Sequence, residues 1–161
     1  MNAGKLMQKD HSWIAARIPH KGEMCVLDRV ETWTDTMIEC RAISHLAAGN
    51  PLRCEDTLGI ANGIEYAAQA MAVHGALLAG HDHCPAAGLL TSVRNVRWHG
   101  SRLDDLDGEL IVRAERVSGT ESTILYEFSL HSGDRLLMSG RASVMLDAGS
   151  QQSLSTTSQE C

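Results

Sequence analysis

Aromatic side chains make up only 4% of the 161 residues, so the core has to be built from Leu, Ile, Val, Met and Ala. Positive charge is also in deficit. The net charge of -6 argues against a general nucleic-acid binder, whose surface is normally basic. No apolar run is long enough to span a bilayer. The first twenty residues lack the basic-then-apolar layout of an export signal. A soluble, cytoplasmic protein without membrane insertion is the expectation. Cys25, Cys40, Cys54, Cys84 and Cys161 form an odd set with no tight paired spacing, which reads as free thiols in a reducing compartment. There is no glycine-rich phosphate loop, nucleophile elbow, paired-cysteine metal motif or internal repeat. No cofactor is implied.

What is present is one domain's worth of alternating elements, expected over residues 1–146. Residues 5–17 read as a short helix that stops before Pro19, because the residue ahead of a proline is pushed out of the helical region. Residues 23–33 and 37–43 read as a strand and its return around Asp35. Residues 44–56 carry the breakers Gly49, Asn50 and Pro51 and read as a loop. A helix is expected over residues 58–79, capped by Asp56 or Thr57. It is apolar or small nearly all round, as in a helix enclosed by protein. Residues 81–87 read as a loop. Residues 89–98, 108–117, 122–132 and 135–146 read as strands, and the Ser-, Thr- and Gln-rich residues 147–161 as a disordered tail. Hairpin, long helix, then antiparallel strands is an α+β layout, a sheet wrapped around one helix.

Glu65 is the strongest chemical signal. It sits mid-helix between Ile64 and Tyr66, in the most apolar segment of the chain. Burying an ionised carboxylate is expensive, so such a group finds partners or keeps its proton, which suits a general acid. Gln69, at i+4, is placed to hydrogen-bond it. The alternative is an exposed or inert carboxylate. His20, between Pro19 and Lys21-Gly22, is a second candidate: imidazole suits a general base, and the alternative is a solvated loop histidine. His81-Asp82-His83-Cys84, with His74 on the preceding helix, matches no tight zinc spacing, so no metal site is expected. Arg94, Arg97 and Arg102 are either solvated charge or a docking patch for a phosphate or an acidic carrier. On a regular strand Arg94 and Arg97 point to opposite faces.

Three segments together resemble the 3-hydroxyacyl-acyl-carrier-protein dehydratases. They are Ile18-Pro19-His20-Lys21 through Val26-Leu27-Asp28-Arg29-Val30; Gly63-Ile64-Glu65-Tyr66-Ala67-Ala68-Gln69-Ala70; and the stretch from Val93 to Leu110 with Arg97-Trp98 and Asp107-Gly108-Glu109. Their order and spacing resemble most the dehydratase-like proteins of aryl polyene pigment clusters. The resemblance implies a hot-dog fold and dehydration of a 3-hydroxyacyl thioester on acyl carrier protein, in fatty-acid-like or aryl polyene biosynthesis. It also implies a homodimer, or a heterodimer with a related dehydratase. One departure stands out. Typical members carry a catalytic histidine in a glycine-histidine-phenylalanine-proline-glycine loop, where this chain has Gly49-Asn50-Pro51-Leu52-Arg53. His45 lies upstream at the wrong spacing. Either His20 takes that role or activity is lost. Under the resemblance His20 and Glu65 are catalytic, and backbone N–H groups around Gly59 and Ile60 polarise the thioester carbonyl. Alternatives are a hot-dog thioesterase, a non-catalytic partner subunit and a bare acyl-binding protein.

Overall fold

The computed structural model describes residues 9–80 and 88–146. Helix α1 (His11–Ala15) is started by Asp10, whose side chain accepts the Trp13 N–H at 3.0 Å. Strands β1 (Arg29–Trp33) and β2 (Met37–Ala42) form a hairpin. Helix α2 (Gly63–Ala79) follows, then β3 (Gly88–Trp98), β4 (Leu110–Gly119), β5 (Thr123–Ser132) and β6 (Arg135–Leu146). All pairs are antiparallel, and the sheet order is β1-β2-β4-β5-β6-β3. A six-stranded antiparallel sheet against one long helix is the hot-dog layout that the resemblance implies.

One face of the sheet makes the core. Ile38, Cys40, Val112, Ala114, Tyr126, Phe128 and Leu130 alternate inward, and α2 packs on them with Tyr66, Ala67, Ala70 and Val73. Small residues bring the helix close. A Cβ on Gly63 would lie 3.0 Å from Leu130 Cδ2 and 3.4 Å from the Met138 sulfur.

Three expected boundaries move, each for a backbone reason. Helix α2 starts at Gly63, and neither Asp56 nor Thr57 caps it. Residues 58 and 59 are extended instead: Leu103 N–H donates to Leu58 O at 2.8 Å and Ile60 N–H to Ser101 O at 3.0 Å. Asp56 has φ of 61°, a left-handed turn conformation, and the Thr57 hydroxyl is turned back to Cys54 O. A short 3-10 turn, Ile60–Asn62, then feeds α2. The strand expected from residue 23 begins only at Arg29, because the Val26 N–H is taken by the Gln69 side chain. The first helix ends at Ala15, and residues 5–8 of that expectation, like the 81–87 loop and the 147–161 tail, lie outside the described residues. Among the described residues no helix is long and apolar enough to cross a membrane.

Candidate functional site

The chain leaving α1 is pinned before it reaches the sheet. The Lys21 ammonium donates to the carbonyls of Ala15 and Ile18, the latter at 2.9 Å. Gly22, at φ of 59°, then turns the backbone in a region that other residues seldom adopt. This U-turn carries His20 to the start of α2, where its Nε2 lies 3.0 Å from Glu65 Oε1.

Gln69 holds the carboxylate in place. It is fully buried one turn along α2. Its Oε1 accepts the Val26 N–H at 2.9 Å, and its Nε2 donates to Met24 O at 2.8 Å and to Glu65 Oε1 at 2.9 Å. One amide thus ties the helix, the segment after His20 and the carboxylate together. The backbone bonds settle which end is oxygen.

Two expectations for Glu65 need correction. It stands in the first turn of α2, not mid-helix, because the helix begins five residues later than the apolar pattern suggests. Its side chain is also 32% exposed, and that of His20 28%, so the carboxylate is not enclosed in apolar protein. The N-terminal end of a helix carries a partial positive charge, which favours a carboxylate there. The site is a half-open imidazole–carboxylate pair that solvent or a ligand can reach.

The proposed carbonyl-polarising donors separate. The Ile60 N–H is already bonded to Ser101 O and is withdrawn as a free donor. Gly59 pairs with Arg102 through bonds made by its neighbours, which leaves its own N–H outside that ladder.

Sequence reasoning missed a polar cluster linked to the pair through Val26 and Gln69. Ser44 Oγ lies 2.8 Å from Tyr66 Oη and donates to Val26 O at 2.6 Å. Asn50 Nδ2 donates to Tyr66 Oη at 3.1 Å and to Ser44 O at 3.0 Å, while its Oδ1 accepts the Leu52 N–H. Asn50 lies in the loop where the resemblance leads one to expect a histidine. Here it braces Tyr66, the neighbour of Glu65. An Asn-Pro step between two elements was the only available signal.

Two further histidines are buried. His45 is fully buried among Asp28, Arg53, Asp104 and Gly108, and burial holds its imidazole below the usual value. His74 is clamped between Tyr126 Oη at 2.9 Å and Thr34 O at 2.8 Å. A carbonyl accepts only from N–H, so Nε2 carries the proton and Nδ1 accepts from the tyrosine. The 81–84 tract lies outside the described residues. Among those described, no three His, Cys, Asp or Glu side chains gather to hold a metal ion.

The three arginines do not form one patch. Arg102 binds Asp104 in two places, at 2.9 and 2.6 Å, and Arg53 holds the same carboxylate at 3.2 Å. Arg94 and Arg97 lie on β3 and share a face, against the expectation. A bulge at Asn95, φ 54°, inserts one residue: Arg94 pairs with Arg141 and Arg97 with Ser139, two positions apart on β6. That face is the outer one, with the sheet between it and α2.

Comparison with known proteins places the chain in a family. A family model described as ApeP-like, ApeP dehydratase, matches residues 12–155. A chain of the dehydratase heterocomplex ApeI:P from Xenorhabdus doucetiae superposes with a TM-score of 0.71 at 18% identity, over 85% of this chain and 92% of that one. A thioesterase from Staphylococcus aureus gives 0.54 at 17% identity, over 73% and 91%. A thioesterase from Haemophilus influenzae gives 0.55 at 10%, over 74% and 77%. These similarities show the hot-dog fold. No curated protein matches.

Proposed function

This chain belongs to the ApeP-like dehydratase family, and we propose that it dehydrates a 3-hydroxyacyl thioester carried on acyl carrier protein to the trans-2-enoyl thioester, with His20 and Glu65 as base and acid. The observation that carries the reading is the 3.0 Å contact between His20 Nε2 and Glu65 Oε1.

In this reaction His20 takes the C2 proton, the electron pair forms the C2–C3 double bond, and the 3-hydroxyl leaves as water with a proton from Glu65. The pair ends as imidazolium and carboxylate. A proton moved across their contact restores the starting state without a third group. Gln69 keeps the carboxylate in reach. The Gly59 N–H is the remaining local donor for the thioester oxygen, where developing charge is best stabilised by a fixed dipole. Fatty-acid-like or aryl polyene chains are the substrate class that the resemblance supports.

A partner fits this reading. Strand β3 is a sheet edge, and Leu89, Leu90 and Trp98 are exposed along it. An unpaired apolar edge favours a second strand. A homodimer or a heterodimer with a related dehydratase would cover it, and the latter leaves room for a subunit that is inactive alone.

The exposure of Glu65 favours one rival. A carboxylate in contact with water can activate it for thioester hydrolysis. Mass spectrometry of a 3-hydroxyacyl carrier protein, incubated with the purified chain alone and with a related dehydratase, separates the readings. Loss of one water from the carrier-bound species is expected. Release of free acid would move the assignment to a thioesterase, and an unchanged carrier in both incubations would sink it.

A further inference from the structure

Between Ala42 and Asn50 a single side chain is buried, and it is a polar one. His45 sits on a 3-10 turn, Ser44–Leu46, with none of its surface exposed. Its apolar neighbours are left outside: Ile43 is 52% exposed and Leu46 46%. Ordinary burial is inverted here. The anchor of segment 43–49 is an imidazole, and the side chains that would anchor it best lie in solvent.

This anchor is also poorly satisfied. Among the described residues neither Nδ1 nor Nε2 has a hydrogen-bond partner, and the Gly108 carbonyl faces the ring without closing a bond. Three charged groups face the ring: Asp28 ahead of β1, Arg53 in the following loop, and Asp104 between β3 and β4. Both carboxylates are already engaged. Asp28 Oδ2 accepts the Ile43 N–H at 2.6 Å, and Asp104 holds Arg102 and Arg53. Arg53 also donates to the His45 carbonyl at 3.3 Å, which sets a cation beside the same residue. A neutral imidazole leaves one donor unmet. An imidazolium would leave two, together with a buried charge, which is far more costly. The ring therefore cannot take a proton in place unless a carboxylate gives up its donors.

Segment 43–49 is tied to the His20–Glu65 site. Ser44, the residue before His45, donates from Oγ to Val26 O at 2.6 Å and lies 2.8 Å from Tyr66 Oη. The Val26 N–H is held by Gln69, which in turn holds Glu65.

We infer that His45 is a proton-operated latch: neutral, it holds segment 43–49 against the fold, and on protonation it leaves its place and draws Ser44 off Val26 and Tyr66, loosening the support of Glu65. The release itself is independent of the reaction catalysed. Only its consequence, a site switched off by acid, rests on the dehydratase reading.

The test is a pH titration of the full-length, isotope-labelled protein without substrate, followed by ring and amide signals and by amide hydrogen exchange corrected for its intrinsic pH dependence. The His45 ring and the amides from Ser44 to Asn50 should titrate with one midpoint, below the ordinary 6.5. Below that midpoint the hydrogen-bonded amides of Ile43, Leu46 and Ala47 should lose protection by up to about tenfold per pH unit, the limit for one proton, while β4 and β5 keep theirs. His45→Leu leaves an apolar anchor in place and should abolish this pH dependence. A wild-type His45 ring that titrates while those amides stay still overturns the latch, whether or not the variant folds. So does a loss of protection spread evenly over the sheet, or one that persists in His45→Leu. Because no substrate is present, failure of the dehydratase reading leaves this result standing, and the reverse also holds.

Discussion

Gln69 and Glu65, one turn apart on α2, share a 2.9 Å hydrogen bond in which the amide nitrogen is the donor. The same amide is fixed by the backbones of Val26 and Met24, so the carboxylate inherits its position from three elements at once. Gln69→Leu strands the buried Val26 N–H and Met24 carbonyl. It should lower stability by about 1–3 kcal/mol and depress kcat more than it raises KM, because Glu65 is then free to leave His20. Urea unfolding and steady-state kinetics check both. A variant that keeps wild-type kcat would remove Gln69 from the positioning role.

Glu65→Gln and His20→Ala should each reduce dehydration by about 10²–10⁴-fold. Both side chains are partly exposed, so circular dichroism and melting temperature should stay near wild type. Turnover at the wild-type rate by either variant would contradict the acid–base assignment.

Stability should fall as the medium is acidified below about pH 6.5. Burial holds the imidazoles of His45, His74 and His131 below their ordinary 6.5. Below that pH the unfolded chain therefore binds more protons than the folded one, and linkage draws it toward unfolding. Glu109, held low by Arg29, and Asp104, held low by Arg102, act in the same direction only in the carboxylate range. Urea midpoints at pH 7.5 and 5.5 isolate the histidines. A midpoint that does not drop at pH 5.5 would refute the sign.

Two glycines on α2 should respond oppositely to alanine. At Gly63 the new Cβ meets Leu130 at 3.0 Å, and overpacking there should cost about 1–3 kcal/mol, more than the helix propensity gained. At Gly75 nothing lies within 4 Å, so Gly75→Ala should stabilise by up to about 1 kcal/mol. Thermal melts of the two variants report the difference directly.

Charge on the β3 edge should break association. Leu89→Glu together with Trp98→Glu should yield a smaller species in sedimentation while leaving the spectrum of the fold intact. An unchanged sedimentation coefficient would show that the edge is not the contact.

Strand and helix identity were legible in the sequence because they rest on local periodicity. Residues 135–146 alternate as a strand and form β6 over that range. The apolar, alanine-rich run forms helix α2 from Gly63, buried toward the sheet and partly exposed along Ile64, Glu65, Ala68 and Ala72. Glu65, Gln69 and His20 stood out because polar groups in apolar or turn contexts need a reason. What the sequence could not carry was anything decided by a distant backbone. The start of α2 is set by residues 101 and 103 bonding to 58 and 60. The face of Arg97 depends on one left-handed residue, Asn95, whose effect is felt only against β6. Most of all, nothing local says that a turn anchored by Lys21 brings His20 within 3.0 Å of a residue forty-five positions away. Side-chain type is written in the chain, but the partner of a side chain is chosen by packing, and packing is a property of the whole fold.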